Sequence, residues 1–386
     1  MSGCDPSPPL QSLKILDFST LLPGPYGSML LADLGAEVLH IESPNRPDLA
    51  RITPPFAGKE SALHCYINRN KKSISLDLKQ SEAVNKVKQL IVEYDILIEQ
   101  FRPGVMDRLG LGYDQLKTIN PQLVYCSITG YGQSSPYQQR AGHDINYLAL
   151  AGIADNSRRK EQPPVPPSVQ IADVAGGSLH SVIGILTAVV ARQTTGAGQH
   201  IDISMADCAF ALNALAGSGF LGAGVEPKPE QQILNGGSFY DFYQTRDGRF
   251  LSVGCLEPKF LQTFCQLIDK PELISLASNP QPTAQQQIKT ILTELFLTEE
   301  LAYWQQLFAT ADVCIEPVLT FAESCEHPHF KNRQMIVEVA SQQGKQKQMA
   351  CPIKFSNAHA RYQSVGRSLG EDNQWLTNKL FSTSQK

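Results

Sequence analysis

Through the first 200 residues, short runs of β-branched and aliphatic residues alternate with stretches whose apolar positions recur at helical spacing. The runs LKILDF (13–18), AEVLHIE (36–42), KSISLDL (72–78), DILIEQF (95–101) and LVYCSIT (123–129) predict strands. PYGSMLLADLG (25–35) and SEAVNKVKQLIVEY (81–94) predict helices; in the second, Val84, Val87, Leu90 and Ile91 share a face. Strands separated by helices of this length predict an α/β domain on a mostly parallel sheet with helices on its faces. The first strand–helix turn, LLPGPYG, carries prolines in place of a G-x-G-x-x-G run, so the dinucleotide-binding fingerprint is missing.

Further on, GGSLHSVIGILTAVVARQTTGAGQ (176–199) predicts a long apolar helix closed by a glycine-containing turn, and HIDISMADCAFALNALAG a strand and a buried helix. GVEPKPEQQILNGG (224–237) has little to bury and reads as a linker. After it, FYDFYQTRDGRFLSVGC predicts a hairpin turned at Asp247–Gly248, and helical patterns follow to about Phe308. The expected organisation is a large α/β domain over 1–225, a linker and smaller α+β domain over 226–330, and a tail, 331–386, returning to the first domain.

Composition narrows the class. At 386 residues the chain exceeds what one core usually holds, and 42% hydrophobic with 18% charged residues is ordinary for a soluble protein. A net charge of -4 gives no basic footprint, so nucleic acid is not an expected partner. No apolar run reaches the ~18 residues of a membrane span, so no membrane partner is expected either. The start, MSGCDPSPPLQ, does not read as a secretory signal, and the end, STSQK, is not a peroxisomal address. Nine scattered cysteines without a C-x-x-C pair argue against a zinc site or disulfide framework and for the reducing cytoplasm. Cys314 is a nucleophile candidate with no histidine near it in sequence.

Two stretches carry the candidate chemistry: RAGHDINYLALAG (140–152) and IADVAGGSLHS (171–181). Each sets a titratable group, His143 or Asp173, at the expected first turn of an apolar helix. A helix N-terminus favours an ionised Asp173, unless burial raises its pKa, and disfavours an imidazolium at His143. Gly176 and Gly177 would let backbone approach a ligand and point N–H groups at a developing enolate oxygen. The alternative is plain helix capping by Asp173 and an ordinary satisfied polar residue at His143. Glu257, in GCLEPKF, reads as a helix start. Arg69, Lys71 and Lys72, beside the strand 72–78, are solvated charges or phosphate partners. Arg102 follows the strand 95–101 at its carboxyl end, where open α/β sheets take ligands.

The segments LLPGPYGSMLLADLGAEVLHIESP, SLDLK, FRPGVMDRLGLG, GYGQSSP, AGHDINYLALAG, ADVAGGS and VGCLEPKF resemble the alpha-methylacyl-CoA racemases, a branch of the family III CoA-transferase fold. The resemblance runs from about Leu13 to about Phe321; GHDINYLAL and LEPKF are its specific parts. It implies a Rossmann-like large domain, a smaller α+β domain, and a homodimer of interlocked chains. It implies proton transfer at the carbon alpha to a CoA thioester, with no metal or redox cofactor. His143 would work on one face and Asp173 on the other through an enolate, Asp144 would support the histidine's side, and Glu257 would orient His143. Leu76, Asp77, Leu78 and Lys79 would pack around the CoA adenine, and the loop Gly142, His143, Asp144, Ile145, Asn146, Tyr147 around the thioester. The family's positive residue near the phosphates falls at Ser43, leaving Arg46, Arg51, Arg69 or Lys72 to compensate. Met29, Met205 and 206–223 are candidates for the acyl pocket, or else core. The competing activity is a CoA-transferase using Asp173 as a nucleophile. Tyrosine at the position of His143 and a D-x-x-T-G motif mark many transferases, and this chain has neither.

Overall fold

Six short strands, β1 (Lys14–Asp17), β2 (Glu37–Glu42), β3 (Lys72–Ser75), β4 (Ile96–Glu99), β5 (Val124–Thr129) and β6 (His200–Ser204), form one parallel sheet. Their order is β3-β2-β1-β4-β5-β6. Every residue of β4 and β5 is buried, as a parallel sheet covered on both faces requires. The order reverses between β1 and β4, creating a topological switch point at their carboxyl ends. The computed structural model that shows this describes residues 8–383. Residues 1–7, with Cys4, and 384–386 lie outside that range, and with them parts of the two terminal stretches that do not read as targeting signals.

Helix α1 (Pro23–Asp33) follows β1, and α2 (Ser81–Ile91) follows β3, with Val87, Leu90 and Ile91 buried against Leu97 and Leu123 in one core cluster. After β5 come α3 (Asp144–Leu150) and α4 (Ala172–Thr195), and α5 (Met205–Ala211) follows β6. The first eight residues of α4, Ala172–Leu179, are wound as a π-helix. The helix therefore starts four residues before the expected 176 and takes Asp173 into its first turn. Its inner face buries Ser181, Ile185 and Ala188, while Leu179, Ile183 and Val190 are exposed. Among the described residues α4 is the one helix long and apolar enough to cross a membrane by length and composition. The strand expected over 72–78 stops at Ser75, and Leu76–Lys79 is the loop beyond its carboxyl end.

Two compact units divide the chain. The first holds residues up to Ala151, Pro167–Leu212, and the tail from Pro328. The second holds Gly152–Pro166 and Asn213–His327. In the second, the strands Asp241–Gln244, Phe250–Val253 and Ile315–Pro317 make an antiparallel sheet. Helices Pro258–Leu267, Pro282–Phe296 and Leu301–Phe308 cover a core containing Phe264, Phe296 and Trp304. The expected boundary at 225 is thus displaced to 212, and 224–237 is no free linker. Arg159 binds Glu230 (2.9 Å) and Asp241 (2.5 Å), and Asn235 donates to the Asn156 carbonyl (3.2 Å), so these polar side chains tie the segment into its unit.

Two buried ion pairs organise the first unit. Arg69, wholly buried, binds Asp33 through Nε (2.9 Å) and Nη2 (2.6 Å), stacks between Tyr66 and Tyr362 (5.0 Å each), and donates to the Met349 carbonyl (2.7 Å). This corrects its reading as a phosphate ligand: it fastens the tail to α1. Lys71, also buried, donates to Asp17 (3.2 Å), the Pro25 carbonyl (3.0 Å) and Asn68 (2.9 Å). Burial pushes the Asp17 carboxyl up, but the Lys71 charge and the His40 and Ser19 hydrogen bonds outweigh it and hold it below the usual carboxylate range. Breaking one side of such a pair strands a buried charge, so Lys71→Met is expected to lower unfolding free energy by about 3–5 kcal/mol. Urea denaturation measures this, and Asp17→Asn added to Lys71→Met should recover part of the loss.

Candidate active site

At the switch point lies a cavity of about 290 Å³ whose walls come from the carboxyl ends of β1, β4, β5 and β6. The turn after β1 brings Leu21 and Pro23, the turn after β4 brings Gln100 to Pro103, and β5 ends in Ile128, Thr129 and Gly130. The loop leading to α3 brings Gln138, Arg140, Ala141, Gly142 and His143. Tyr147 of α3, Asp173 of α4 and Met205 of α5 complete the wall.

Each wall is held by a specific bond. Leu21, at a left-handed φ of 60°, donates its N–H to both Asp48 carboxylate oxygens (3.0 and 3.1 Å). Gln100 Oε1 accepts the Gly24 N–H (3.1 Å), tying the β4 turn to the start of α1. Glu99 Oε2 accepts the Phe101 N–H (2.8 Å), and burial pushes this carboxyl up to about 7. Gly142 is needed because a Cβ there would stand 2.7 Å from the Tyr147 ring and 3.0 Å from the Tyr131 hydroxyl.

His143 is the exposed N-cap residue of α3, and its backbone N–H donates to Asn146 Oδ1 (2.9 Å). Asp144, buried to 6% exposure, turns from its neighbour His143 and accepts the Asp173 backbone N–H (3.0 Å). Its support therefore goes to the aspartate's side, which corrects the expectation from the resemblance. Burial, reinforced by the Asp144 charge and opposed by His143, pushes the Asp173 carboxyl up to about 6. Asp173 is no helix cap, because the preceding Ile171 is already helical. The adjacent glycines serve packing instead of ligand approach: a Cβ on Gly177 would meet Pro23 at 2.9 Å, and one on Gly176 would meet Cys208 at 3.3 Å.

The cavity thus brings together His143, Asp173, Arg102, Gly142 and Tyr147 of the expected residues. Ile145 and Asn146 do not line it; Ile145 is exposed and Asn146 caps α3. Leu76 and Leu78 pack into the core, Asp77 accepts the Lys79 N–H (3.1 Å), and Lys79 is exposed, all at the carboxyl edge of β3. Lys72, at the opposite edge, faces Glu37 (3.9 Å) and the Trp375 ring (4.6 Å), so it does not serve that edge. Arg51 is held by Glu42 (3.0 Å). Of the four cations expected to compensate for Ser43, Arg46, which bridges to it, alone is exposed and without a carboxylate partner among the described residues. Met29 is core, packed with Leu30, Leu34 and Cys351, whereas Met205 lines the cavity.

Glu257 lies in the second unit, exposed, as the N-cap of Pro258–Leu267. Cys314 is in the same unit, and burial with the Glu257 and Asp312 charges raises its thiol pKa, the reverse of nucleophile activation. The eight cysteines among the described residues are free thiols, and no group of three or more His, Cys, Asp or Glu there is placed to hold a metal ion. Sequence reasoning passed over Leu21, Gln100 and Arg140. Gln100 and Arg140 had a legible signal: each sits within three residues of a chosen site residue on the same loop.

Comparison with known proteins identifies the family. The profile described as CoA-transferase family III matches residues 10–373. The chain is 35% identical to alpha-methylacyl-CoA racemase of Homo sapiens, over 84% of this chain and 81% of that one. It is 32% identical to succinyl-CoA:glutarate CoA-transferase of Homo sapiens, over 86% and 76%. A solved CAIB/BAIF family protein from Brucella suis superposes with a TM-score of 0.83 at 30% identity, covering 96% of this chain and 99% of that one. With that profile matched over residues 10–373 of 386, the protein belongs to CoA-transferase family III.

Proposed function

We propose that the protein racemises 2-methylacyl-CoA thioesters by moving a proton at the carbon alpha to the thioester carbonyl. The observation that carries this reading is that His143 and Asp173 line the same cavity, with the Asp173 carboxyl raised to about 6. A carboxyl near that value populates both protonation states near neutral pH, so it can both give and take a proton. His143 removes the alpha proton from one face, and the C–H electron pair passes into the enolate. Asp173 delivers its proton to the other face, giving the inverted centre. The reverse direction exchanges the two roles. The CoA arm is assigned to the carboxyl edge of the sheet, with Leu76–Lys79, Arg46 and Arg102 along its course. The exposed apolar residues Leu179, Ile183 and Val190 of α4 support a homodimer that covers them.

In deuterated water, the protein should wash deuterium into the alpha position of a 2-methylacyl-CoA with loss of chirality, followed by NMR, without any acceptor acid. His143→Ala and Asp173→Asn should each lower this rate by at least ~10²-fold. A covalent acyl adduct on Asp173, seen by mass spectrometry, would turn the reading to CoA transfer.

Because Asp173 must be ionised when it takes the proton, the rate in that direction should fall below a midpoint near pH 6. Asp144→Asn removes a charge that raises Asp173 and should move the acid limb to lower pH. The sign for stability is the opposite of the usual carboxylate case. The folded state keeps the proton longer than the unfolded chain, so Asp173 lowers stability as pH rises through the interval up to about 6. Thermal melts of Asp173→Asn should lack that decline. Light scattering should give about twice the chain mass of 42.4 kDa; a monomer would remove the dimer assignment.

A further inference from the structure

Arg140 is not used by the proton transfer, yet its position is built with care. A backbone turn, with the Arg140 N–H donating to the Tyr137 carbonyl (2.8 Å), lays the guanidinium 3.8 Å above the Tyr137 ring. Tyr137 stands edge-on to Tyr131 (5.6 Å), and Tyr131 edge-on to Tyr147 (5.3 Å), which is buried in the cavity wall. This run of rings holds one face of the guanidinium and leaves its N–H fork free. Among the described residues no carboxylate pairs with Arg140, whereas Asp144 is committed to the Asp173 N–H. An anion is the ligand that such a fork takes.

The geometry of CoA says which anion. A sphere of 290 Å³ is roughly 8 Å across, and Arg140 lines it together with His143 and Asp173, where the reacting carbon must lie. The CoA diphosphate is separated from the thioester by the pantetheine arm, roughly 15 Å or more when extended at ordinary bond lengths. An extended arm carries it well beyond a space of that width. At ~30 Å³ per atom the space admits about ten non-hydrogen atoms, so a group held at Arg140 within it lies a few bonds from the reacting carbon. Its wall also mixes Arg102, Gln100 and Gln138 with Leu21, Ile128 and Met205.

We propose that Arg140 is a specificity-determining residue that binds a carboxylate carried on the acyl group, so that the preferred substrates are short 2-methylacyl-CoAs ending in a carboxylate. The proposal rests on the racemase reading and names its substrate class. The same fork would also suit a free carboxylic acid, and the test separates the two sources.

Alpha-hydrogen exchange is measured for two thioesters of equal length, one ending in a carboxylate and one in a methyl group, with wild type, Arg140→Leu and Arg140→Lys. The wild type should favour the carboxylated thioester by roughly 10- to 100-fold in kcat/KM. Arg140→Leu should bring that ratio close to one, and Arg140→Lys should keep part of it, because the charge remains and the planar fork is lost. A ratio near one in the wild type, or a ratio that Arg140→Leu leaves in place, overturns the proposal alone. If a free dicarboxylic acid added with the methyl-terminated thioester is converted to its CoA ester, and Arg140→Leu slows that conversion, the carboxylate belongs to a second substrate and both readings fall. No exchange with either thioester overturns the racemase reading and this proposal with it.

Discussion

The buried contact between Asp17 and Lys71 is the constraint on which the rest of the first unit depends. Asp17 ends β1, and its carboxylate accepts from the Ser19 N–H (3.0 Å), the Ser19 hydroxyl, Ser28 Oγ (2.5 Å) and Lys71 Nζ (3.2 Å). These bonds turn the chain from β1 into α1 and hold the first turn of that helix. Its Pro23 carbonyl then accepts Ser178 Oγ (2.6 Å), and Gly177 allows the π-wound start of α4 to lie against Pro23. Asp173 therefore reaches the cavity through a series of contacts that begins at a salt bridge with no solvent access. A charge with no water around it tolerates few arrangements, which fixes the register of what it holds.

The same economy operates at the site. Asp144 binds the Asp173 backbone N–H and so locks the start of α4 to the start of α3, the helix whose N-cap is His143. That bond brings a second buried carboxylate close to Asp173, and the repulsion raises the Asp173 pKa beyond what burial alone does. One side chain thus sets both the place and the titration of another. The π-helical winding belongs to this arrangement, since such segments recur where a helix must present a side chain for function.

Function within the family turns on fine differences around a shared frame. A racemase at 35% identity and a transferase at 32% both align with more than four fifths of this chain. Here a raised carboxyl, an imidazole and two guanidinium groups line one space of about 290 Å³.

The strands and most helices were legible because apolar period reports burial directly: ILIE and VYCSIT are short, mostly apolar runs, and both became fully buried strands. His143 and Asp173 were legible because each stands at the start of an apolar helix in a motif of specific spacing. The roles of Arg69, Gly176, Gly177 and Asp144 were not. Arg69 looks like its neighbour Lys72 in sequence, yet its partner Asp33 lies 36 residues away. The glycines look like ligand loops until Pro23 and Met205 are found against them. Arg140 and Gln100 gain meaning only from the cavity that four strand ends make together. Local pattern by itself determined which segments are apolar, how they repeat and which chemistry-bearing residues begin helices, because those properties lie within a few residues along the chain. Only the tertiary structure decided which charges are paired and which are left for a ligand, because a charge's partner is chosen by distance in space and by the loss of water around it.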